Sequence, residues 1–430
     1  MDTPVLKTLK RQLAYFLRRF YVGIKTGPSR QHFRTYIQGQ LGNLERKTAA
    51  AIALEAGVAP RSLQEFLEIH RWDHHRVRTR LQEVVTQAYA HPQAIGQIDE
   101  TSYAKKGDQT CGVQRQYCGA TGKKDNCVVS VHLGYVADAF HTLVDSDVYL
   151  PEETWAHDAD RCQAAGIPDE VSYRPKWQIG LDLLARSWAQ GVRLAYLCAD
   201  EIYGRCHHFR QGVAEYGIIY GVEVPCSLKG WTQSPPLQTP STHASSTGRP
   251  RTQTRLAPGA PTPRRVDRLW QRGGPSWEAF HVKETQKGPV VWEIRSTRFF
   301  PWEEGLPGPE QWLLIARQVL TGEHKYFLCN APSDTPVEQM IHVIFSRWHI
   351  ERIFEEAKGQ VGLDHFEVRH YQPLIRHLIL SMVSLFFLMQ ESDQIQEKKI
   401  YLERASRSPG TRCAASVSYT HLTLPTNREV

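Results

Sequence analysis

The stretch RWHIERIFEEAKGQ, residues 347–360, combines an apolar stripe at helical spacing with an ordered row of charges. At about 100° per residue, the apolar side chains fall on one face of the predicted helix, namely Ile350, Ile353, Phe354, Ala357 and Val361. Arg347, Glu351 and Lys358 fall within roughly 40° of one another beside that stripe. The spacing therefore predicts a helix that packs on a core and carries these charges at the core's edge. The alternative is a solvated face with Arg–Glu pairs four residues apart.

Composition indicates a globular protein that is large enough for two or three domains. The chain has 430 residues, of which 41% are hydrophobic and 23% charged, as is ordinary for a soluble protein. Its formal net charge is +7, and residues 1–34 contain eight Lys or Arg with Asp2 as their acidic residue. This excess favours a polyanionic partner, although a solvated basic surface gives the same pattern.

Neither a membrane anchor nor a disulfide framework is expected. The chain opens without a charged-then-apolar signal peptide, and its longest apolar run, LILSMVSLFFLM at residues 378–389, is too short to cross a bilayer. We therefore expect a cytoplasmic protein with a buried late helix. The nine cysteines are scattered without a C-x-x-C pair, which is not typical of a disulfide scaffold. Cys206, His207 and His208 have no second ligand pair at usable spacing, so a zinc site is not favoured.

The periodicity of apolar residues predicts an α/β fold with a mixed sheet and packed helices. Helices dominate up to residue 90, and residues 48–70 have a helix-turn-helix spacing that any helical hairpin also shows. The predicted segments are 1–90, a helical domain and candidate DNA-binding region; 91–225, the first part of the core; 226–335, a β-rich insertion with a Pro/Ser/Thr-rich loop; 336–395, the last part of the core with the Glu351 helix; and 396–412, a C-terminal segment.

The end of the chain needs separate treatment. Its final residues, SVSYTHLTLPTNREV, resemble translated sequencing-adapter read-through more than a protein terminus. We therefore expect residues 413–430 to be a sequencing artefact and exclude them from the fold prediction. On this interpretation we expect the chain to be truncated.

Three carboxylates on separate predicted elements are candidates for one metal site. Asp99 and Asp200 each follow an apolar strand run, AIGQI and VRLAYLCA, and Glu351 lies on the late helix. Each aspartate alone is also common as a turn former or helix cap. Together, such carboxylates suit hard divalent cations, Mg²⁺ or Mn²⁺, and two ions about 4 Å apart support phosphodiester chemistry. Neighbouring carboxylates remain rivals for each role, namely Glu100, Glu201 and Glu355.

Four stretches resemble a DDE transposase of a bacterial insertion sequence, from the group with a tyrosine-arginine-glutamate-lysine signature around its third catalytic acid. They are IDETSYAKKGDQTCGVQRQYCGATGKKDNC around Asp99, YLPEETWAHDADRCQAAGIP, ADEIYG at Asp200, and RWHIERIFEEAKGQVGLDHFEVRHY around Glu351. The resemblance covers roughly residues 40–390. It implies an RNase H-like catalytic core, in agreement with the predicted order of strands and helices.

The resemblance also implies roles for individual residues. Asp99, Asp200 and Glu351 match the metal-binding catalytic acids, which take two Mg²⁺ ions. Arg347 and Lys358 match the signature's arginine and lysine, which contact phosphates of the transposon end. The N-terminal helices would bind the inverted repeats, with candidate contacts at Arg61, Arg71 and Arg76. The signature's tyrosine falls at Ile344, so the resemblance does not support a hairpin step.

The resulting hypothesis is a cut-and-paste transposase. It would hydrolyse DNA at terminal inverted repeats, join the 3′ ends to target DNA, and act as a homodimer in the DNA complex, without a membrane partner. One alternative is a decayed or truncated transposase that binds DNA without cutting it. Another is a stand-alone RNase H-like nuclease, because a fold does not determine a function.

Overall fold

The computed structural model describes residues 3–240, 252–270, 273–285 and 288–407. The predictions for residues 413–430 and for the middle of the Pro/Ser/Thr-rich loop, 241–251, lie outside these described residues. The helices are α1 (Thr3–Arg18), α2 (Gly27–Leu41), α3 (Ala49–Glu55), α4 (Pro60–Glu68), α5 (His74–Tyr89), α6 (Ala159–Ala164), α7 (Lys176–Ala189), α8 (Glu201–Gly204), α9 (His207–Ala214), α10 (Val337–Phe345), α11 (Trp348–Val361) and α12 (Tyr371–Arg407).

The strands of the described residues begin at residue 95 and fall into groups. They are β1 (Ile95–Ala104), β2 (Gln114–Cys118), β3 (Lys123–Ala137), β4 (Phe140–Tyr149), β5 (Tyr196–Ala199), β6 (Ile219–Val224), β7 (Lys229–Trp231), β8 (Leu237–Gln238), β9 (Arg255–Leu256), β10 (Arg264–Arg265), β11 (Glu278–Thr285), β12 (Gly288–Glu303), β13 (Leu306–Pro307), β14 (Gln311–Gln318) and β15 (His324–Cys329). Strands β1–β4 precede α6, and β6–β15 lie between α9 and α10. The predicted strand and helix runs are confirmed, and the fold is mixed α/β.

The described chain divides into two compact units. The first contains residues of 1–94, 99–193 and 349–430, and the second contains 95–98 and 194–348. Strand β1 therefore contributes its first residues to the second unit and the remainder to the first. The helices before residue 90 belong to the same unit as β2, β3 and β4. Their assignment to a separate DNA-binding domain stays a prediction.

The first unit is built on an antiparallel sheet that is covered by helices. Residues 127–137 of β3 and 140–148 of β4 are buried, as expected of strands covered on both faces. Leu133 of β3 lies opposite Asp145 of β4, but the next residue of β3, Gly134, lies opposite Leu143. The register therefore skips Val144, which is the extra residue of a bulge in β4. A bulge reverses the alternation of side chains. His141 consequently contacts α11, whereas Asp145 contacts α5 and α7.

Helix α11 confirms the apolar stripe predicted from its sequence. Its buried residues are the five expected ones, Ile350, Ile353, Phe354, Ala357 and Val361. The following helix, α12, is long and apolar enough to cross a membrane by length and composition, but 83% of its apolar window is buried inside the protein. It is therefore the core helix expected from the late apolar run, and it joins α2 through hydrogen bonds from Gln40 to Ser381 and from Ser384 to Gln40, both of 2.8 Å.

The second unit contains a mixed sheet. Strand β5 pairs in parallel with β1 and with β6, and the strands after β6 continue the sheet in antiparallel order through β15, β14 and β12. Helix α10 packs on the antiparallel part through Met340, Ile341 and Ile344, which join one apolar cluster with Trp292, Leu314 and Phe327. The mixed sheet expected from the sequence is thus present in this unit.

Gly204, the last residue of α8, marks a close approach between this helix and β6. A Cβ atom added there would lie 2.0 Å from the carbonyl oxygen of Glu223, and a strand backbone cannot shift cheaply. We expect Gly204→Ala to lower the free energy of unfolding by about 2 kcal/mol or more. Gly27→Ala is the matched control, because its added Cβ meets nothing within 4 Å. Denaturant titration of both variants tests this, and equal stability would contradict it.

Candidate active site

Asp99 lies in the interior of β1, which continues to Ala104. The sequence placed Asp99 directly after the apolar run AIGQI, and the strand continues beyond that run to Ala104. Asp99 is half-buried, and its Oδ1 accepts a hydrogen bond from the Glu100 backbone N–H at 2.8 Å. The rival carboxylate of Glu100 is bound by Lys176 Nζ at 2.6 Å. Lys176 thus gives Glu100 a structural role, and the metal-binding role of Asp99 stays a prediction.

Asp200 follows β5 directly and caps α8. Its Oδ1 accepts a hydrogen bond from the Ile202 backbone N–H at 2.9 Å, so the helix-cap alternative describes part of what this residue does. A carboxylate has about four acceptor sites, and capping through one of them is compatible with metal binding. The parallel register of β1 and β5 pairs Ile98 with Ala199. Asp99 follows Ile98 within β1, and Asp200 follows Ala199, the last residue of β5.

Glu351 lies in the first turn of α11 and is exposed. The helix begins at Trp348, so Arg347 lies in the preceding turn and not in the helix, one residue outside the predicted boundary. Of the two further glutamates on this helix, Glu355 is exposed. Glu356 instead bonds to His141 Nε2 at 2.7 Å and to Arg352 Nε at 2.9 Å. Glu351 and Glu355 therefore remain the accessible carboxylates of α11.

Two hydrogen bonds tie β1 to the segment that carries Glu351. Gln97 donates to the Ser346 carbonyl at 2.7 Å within the second unit. Lys358 Nζ donates to the Ser102 carbonyl at 3.3 Å within the first unit and lies 5.7 Å from the centre of the Tyr103 ring. Burial lowers the pKa of Lys358 below its usual value. Within the first unit, α11 is therefore docked beside the part of β1 that follows Asp99.

A buried polar cluster that the sequence did not predict supports this docking. The Tyr103 hydroxyl lies 2.7 Å from Ser130 Oγ, and Ser130 Oγ lies 2.6 Å from His132 Nε2. The His132 ring packs edge-on against Phe354 of α11, with ring centres 5.3 Å apart. Burial lowers the pKa of His132 to about 3, so its ring is neutral. The alternation of residues along a strand predicts which of its side chains share a face. It does not predict which side chains of neighbouring strands come within hydrogen-bond distance.

The proposed DNA-contacting arginines of the N-terminal region lie on its surface. Arg61 is in the first turn of α4 and pairs with Glu65 at 2.6 Å, Arg71 lies between α4 and α5, and Arg76 is in the first turn of α5. All three side chains are exposed. Exposure makes them accessible to a phosphate backbone, but their role stays a prediction.

Ile344 is a core residue of the second unit and is 2% exposed. A Cβ added to Gly221 would lie 2.6 Å from its side chain, which shows how tightly β6 packs against it. The resemblance places the signature's tyrosine at this position. Since the side chain points into an apolar cluster, it has no access to a DNA base here.

The donor atoms of the three predicted acids are of the kind that suits a hard divalent cation. All their donors are carboxylate oxygens, which Mg²⁺ and Mn²⁺ prefer. Asp99 and Asp200 are half-buried and Glu351 is exposed, so water and a phosphate have access. Asp99 and Glu351 belong to the first unit and Asp200 to the second.

Comparison with known proteins supports one family. The family model of the DDE superfamily endonucleases matches residues 19–289, which is more than half of the chain. The probable transposase for insertion sequence element IS701 of Microchaete diplosiphon is 33% identical over 167 residues, which cover 39% of this chain and 41% of that relative. The chain therefore matches less than half the length of this relative. The family match contains Asp99 and Asp200, whereas Glu351 lies beyond it.

Proposed function

The chain belongs to the DDE superfamily endonuclease family, and from that membership we propose that it is an insertion-sequence transposase. It would cut DNA at terminal inverted repeats, join the ends to target DNA by a cut-and-paste reaction, and work in the cytoplasm as a homodimer on DNA. The observation that carries this proposal is the register of β1 and β5, in which the residues preceding Asp99 and Asp200 are paired. We propose that these strands belong to an RNase H-like core.

Asp99, Asp200 and Glu351 would hold the metal in this proposal. The donor chemistry fits two Mg²⁺ ions, with Mn²⁺ as a possible substitute. When bound, such ions supply an activated water or 3′-hydroxyl and stabilise the leaving oxygen. The protein's own contribution is position: strand pairing orients the aspartates, and docking of α11 through Lys358 and Phe354 orients Glu351.

Arg347 and Lys358 would hold the DNA phosphates near these acids. The two residues flank Glu351 in sequence, and Lys358 is anchored on β1 by its bond to the Ser102 carbonyl. A cation beside the carboxylates would bring the scissile strand toward them. Ile344, in contrast, is buried, and we include no hairpin step in the proposed reaction.

The test uses the purified chain and a labelled duplex that carries the element's own terminal repeat. We expect breaks at the repeat's end in Mg²⁺ and none in EDTA. Binding without breaks would instead support a DNA-binding relic. Breaks without joining to a target duplex would support a stand-alone nuclease, so a strand-joining assay completes the experiment.

DNA binding by the N-terminal helices should be strongly salt-dependent. The exposed Arg61, Arg71 and Arg76 would each neutralise one phosphate, and each lost contact reduces the slope of log affinity against log salt by about 0.9. Replacing all three by Ala should therefore reduce the magnitude of that slope by about 2 to 3. Fluorescence anisotropy between 50 and 200 mM salt, roughly the range in which such slopes are resolved, measures it.

The matched control for this prediction is Arg115→Ala. Arg115 is an exposed arginine of the first unit on β2, away from α4 and α5 in the sequence. Its replacement should leave the slope unchanged. An unchanged slope in the triple variant would remove these three arginines from the DNA interface.

A further inference from the structure

A second cluster of metal-ligating side chains lies in the second unit and has no part in the proposed cleavage. His207 and His208 begin α9, and Glu304 lies in the turn between β12 and β13. One ligand atom from each residue lies within 4.8 Å of the other two. Glu304 is 97 positions beyond His207, so sequence spacing could not predict the cluster.

The geometry of the cluster suits a tetrahedral ion. His207 Nε2 lies 3.4 Å from Glu304 Oε1. Two ligand atoms at about 2.0–2.1 Å from a tetrahedral ion are roughly 3.4 Å apart. The rings of His207 and His208 have centres 3.9 Å apart, and one ligand atom from each of the three residues lies within 4.8 Å of the other two. A fourth position would be left for water, as in zinc sites with an open coordination position.

The turn that carries Glu304 is held in an uncommon conformation. Trp302 pairs with Pro307 and Glu303 with Leu306, so Glu304 and Gly305 form a two-residue hairpin loop. Both have positive φ, 49° and 89°, as a type I′ turn requires. Asn, Asp and Gly are the usual residues for the first of these positions, whereas Glu is not. Glu304 therefore keeps a long carboxylate at a position where the turn alone would favour a different residue.

A buried ion pair fixes this turn against the start of α9. Arg210 and Glu303 form a salt bridge in which their side chains are 3% and 11% exposed. Arg210 also donates to the Gly204 carbonyl at 2.5 Å. Because Glu303 precedes Glu304 and Arg210 follows His208 by two residues, the ligands are presented by anchored backbone. Such preorganisation is what distinguishes a metal site from chance proximity.

We propose that His207, His208 and Glu304 bind one divalent transition-metal ion of the zinc class. Two imidazoles and one carboxylate suit Zn²⁺, Ni²⁺ or Cu²⁺ better than Mg²⁺, which prefers oxygen ligands. The site therefore selects a different metal from the one proposed for Asp99, Asp200 and Glu351. The bound ion cross-links the β12–β13 hairpin to α9 and stabilises the segment that follows Asp200.

The test is a titration of the purified full chain with Co²⁺ and then Zn²⁺ in excess Mg²⁺, which saturates sites made of oxygen ligands. We expect one Co²⁺ per chain with the visible absorption of tetrahedral cobalt, displaced by Zn²⁺. The double variant His207→Ala/His208→Ala should lose at least about a hundredfold in affinity. The control His324→Ala replaces an exposed histidine of the same unit and should bind as the original chain does.

A second readout is thermal stability. Zn²⁺ at a hundredfold excess over Kd should raise the Tm of the original chain by roughly 5 °C, and that of the double variant by much less. If the double variant fails to fold, Glu304→Gln replaces it in the test, because this variant changes only an exposed side chain in a turn. Glu304→Gln should weaken Zn²⁺ binding by at least about tenfold. Equal affinity in the original chain and in Glu304→Gln or the double variant would overturn the proposal and leave only a contact between the His207 and Glu304 side chains.

Discussion

Replacing Asp99 by Asn should abolish metal-dependent cleavage of repeat-end DNA while leaving DNA binding intact. Asn keeps the size of the side chain and its bond to the Glu100 N–H, but it removes the negative charge that a divalent ion needs. Metal catalysis contributes several kcal/mol to such reactions, and each 1.36 kcal/mol is tenfold in rate, so the cleavage rate should fall by at least about a thousandfold. Initial rates in Mg²⁺ measure this loss, and anisotropy measures the binding.

The neighbouring carboxylate provides the control. Glu100 is engaged by Lys176 at 2.6 Å, so Glu100→Gln should retain most of the cleavage and lose some stability. Cleavage that survives in Asp99→Asn but disappears in Glu100→Gln would transfer the metal-binding role to Glu100. Loss in both variants, with circular dichroism unchanged, would assign both carboxylates to the site.

Local patterns predicted the elements of this protein well. Every residue of the apolar stripe predicted for α11 is buried, because the spacing of apolar residues indicates which face of a helix packs on the core. In the structure, Thr48 and Asp73 cap the starts of α3 and α5, where they accept hydrogen bonds from backbone N–H groups at 3.2 and 3.0 Å. The family resemblance is also confirmed.

Side-chain pairing between distant elements could not be predicted in the same way. Lys176 is separated from Glu100 by 76 residues, and Glu304 from His207 by 97. Their meeting depends on how strands and helices pack, which periodicity within one element does not encode. The assignment of Asp99, Asp200 and Glu351 to one site came from carboxylates on three separate predicted elements together with the resemblance, and it stays a prediction.

Arg186→Leu should destabilise the first unit more than any surface change. Arg186 binds Asp145 through two bonds of 3.0 and 3.1 Å and reaches Asp147 at 3.3 Å. Asp145 is fully buried and Asp147 nearly so. Removing one partner of a buried charged network leaves uncompensated charge and typically costs about 3–5 kcal/mol. Since Arg78 and Arg174 remain as partners, we expect about 3 kcal/mol, measured by urea unfolding.

The pH dependence of stability gives this prediction a second readout. Burial alone would raise the pKa of Asp147, but Arg186 and Arg174 outweigh it and hold the pKa below its usual value. A lowered folded-state pKa contributes stability above the unfolded pKa of about 3.9, and the contribution is lost as pH falls through the lower folded value. The original chain should therefore lose stability in acid below about pH 4, and Arg186→Leu should lose less over the same range.

The surface pair of Arg46 and Glu367 supplies the matched control for the same substitution. Their atoms lie 3.4 Å apart, with side chains 69% and 59% exposed, and exposed pairs contribute about 1 kcal/mol or less. Arg46→Leu should therefore change the free energy of unfolding by under about 1 kcal/mol and leave its pH dependence unchanged. If Arg186→Leu were no more destabilising than Arg46→Leu, the buried aspartates would be solvated or protonated in the folded chain. The network around β4 would then not be what holds α5 and α7 against the sheet.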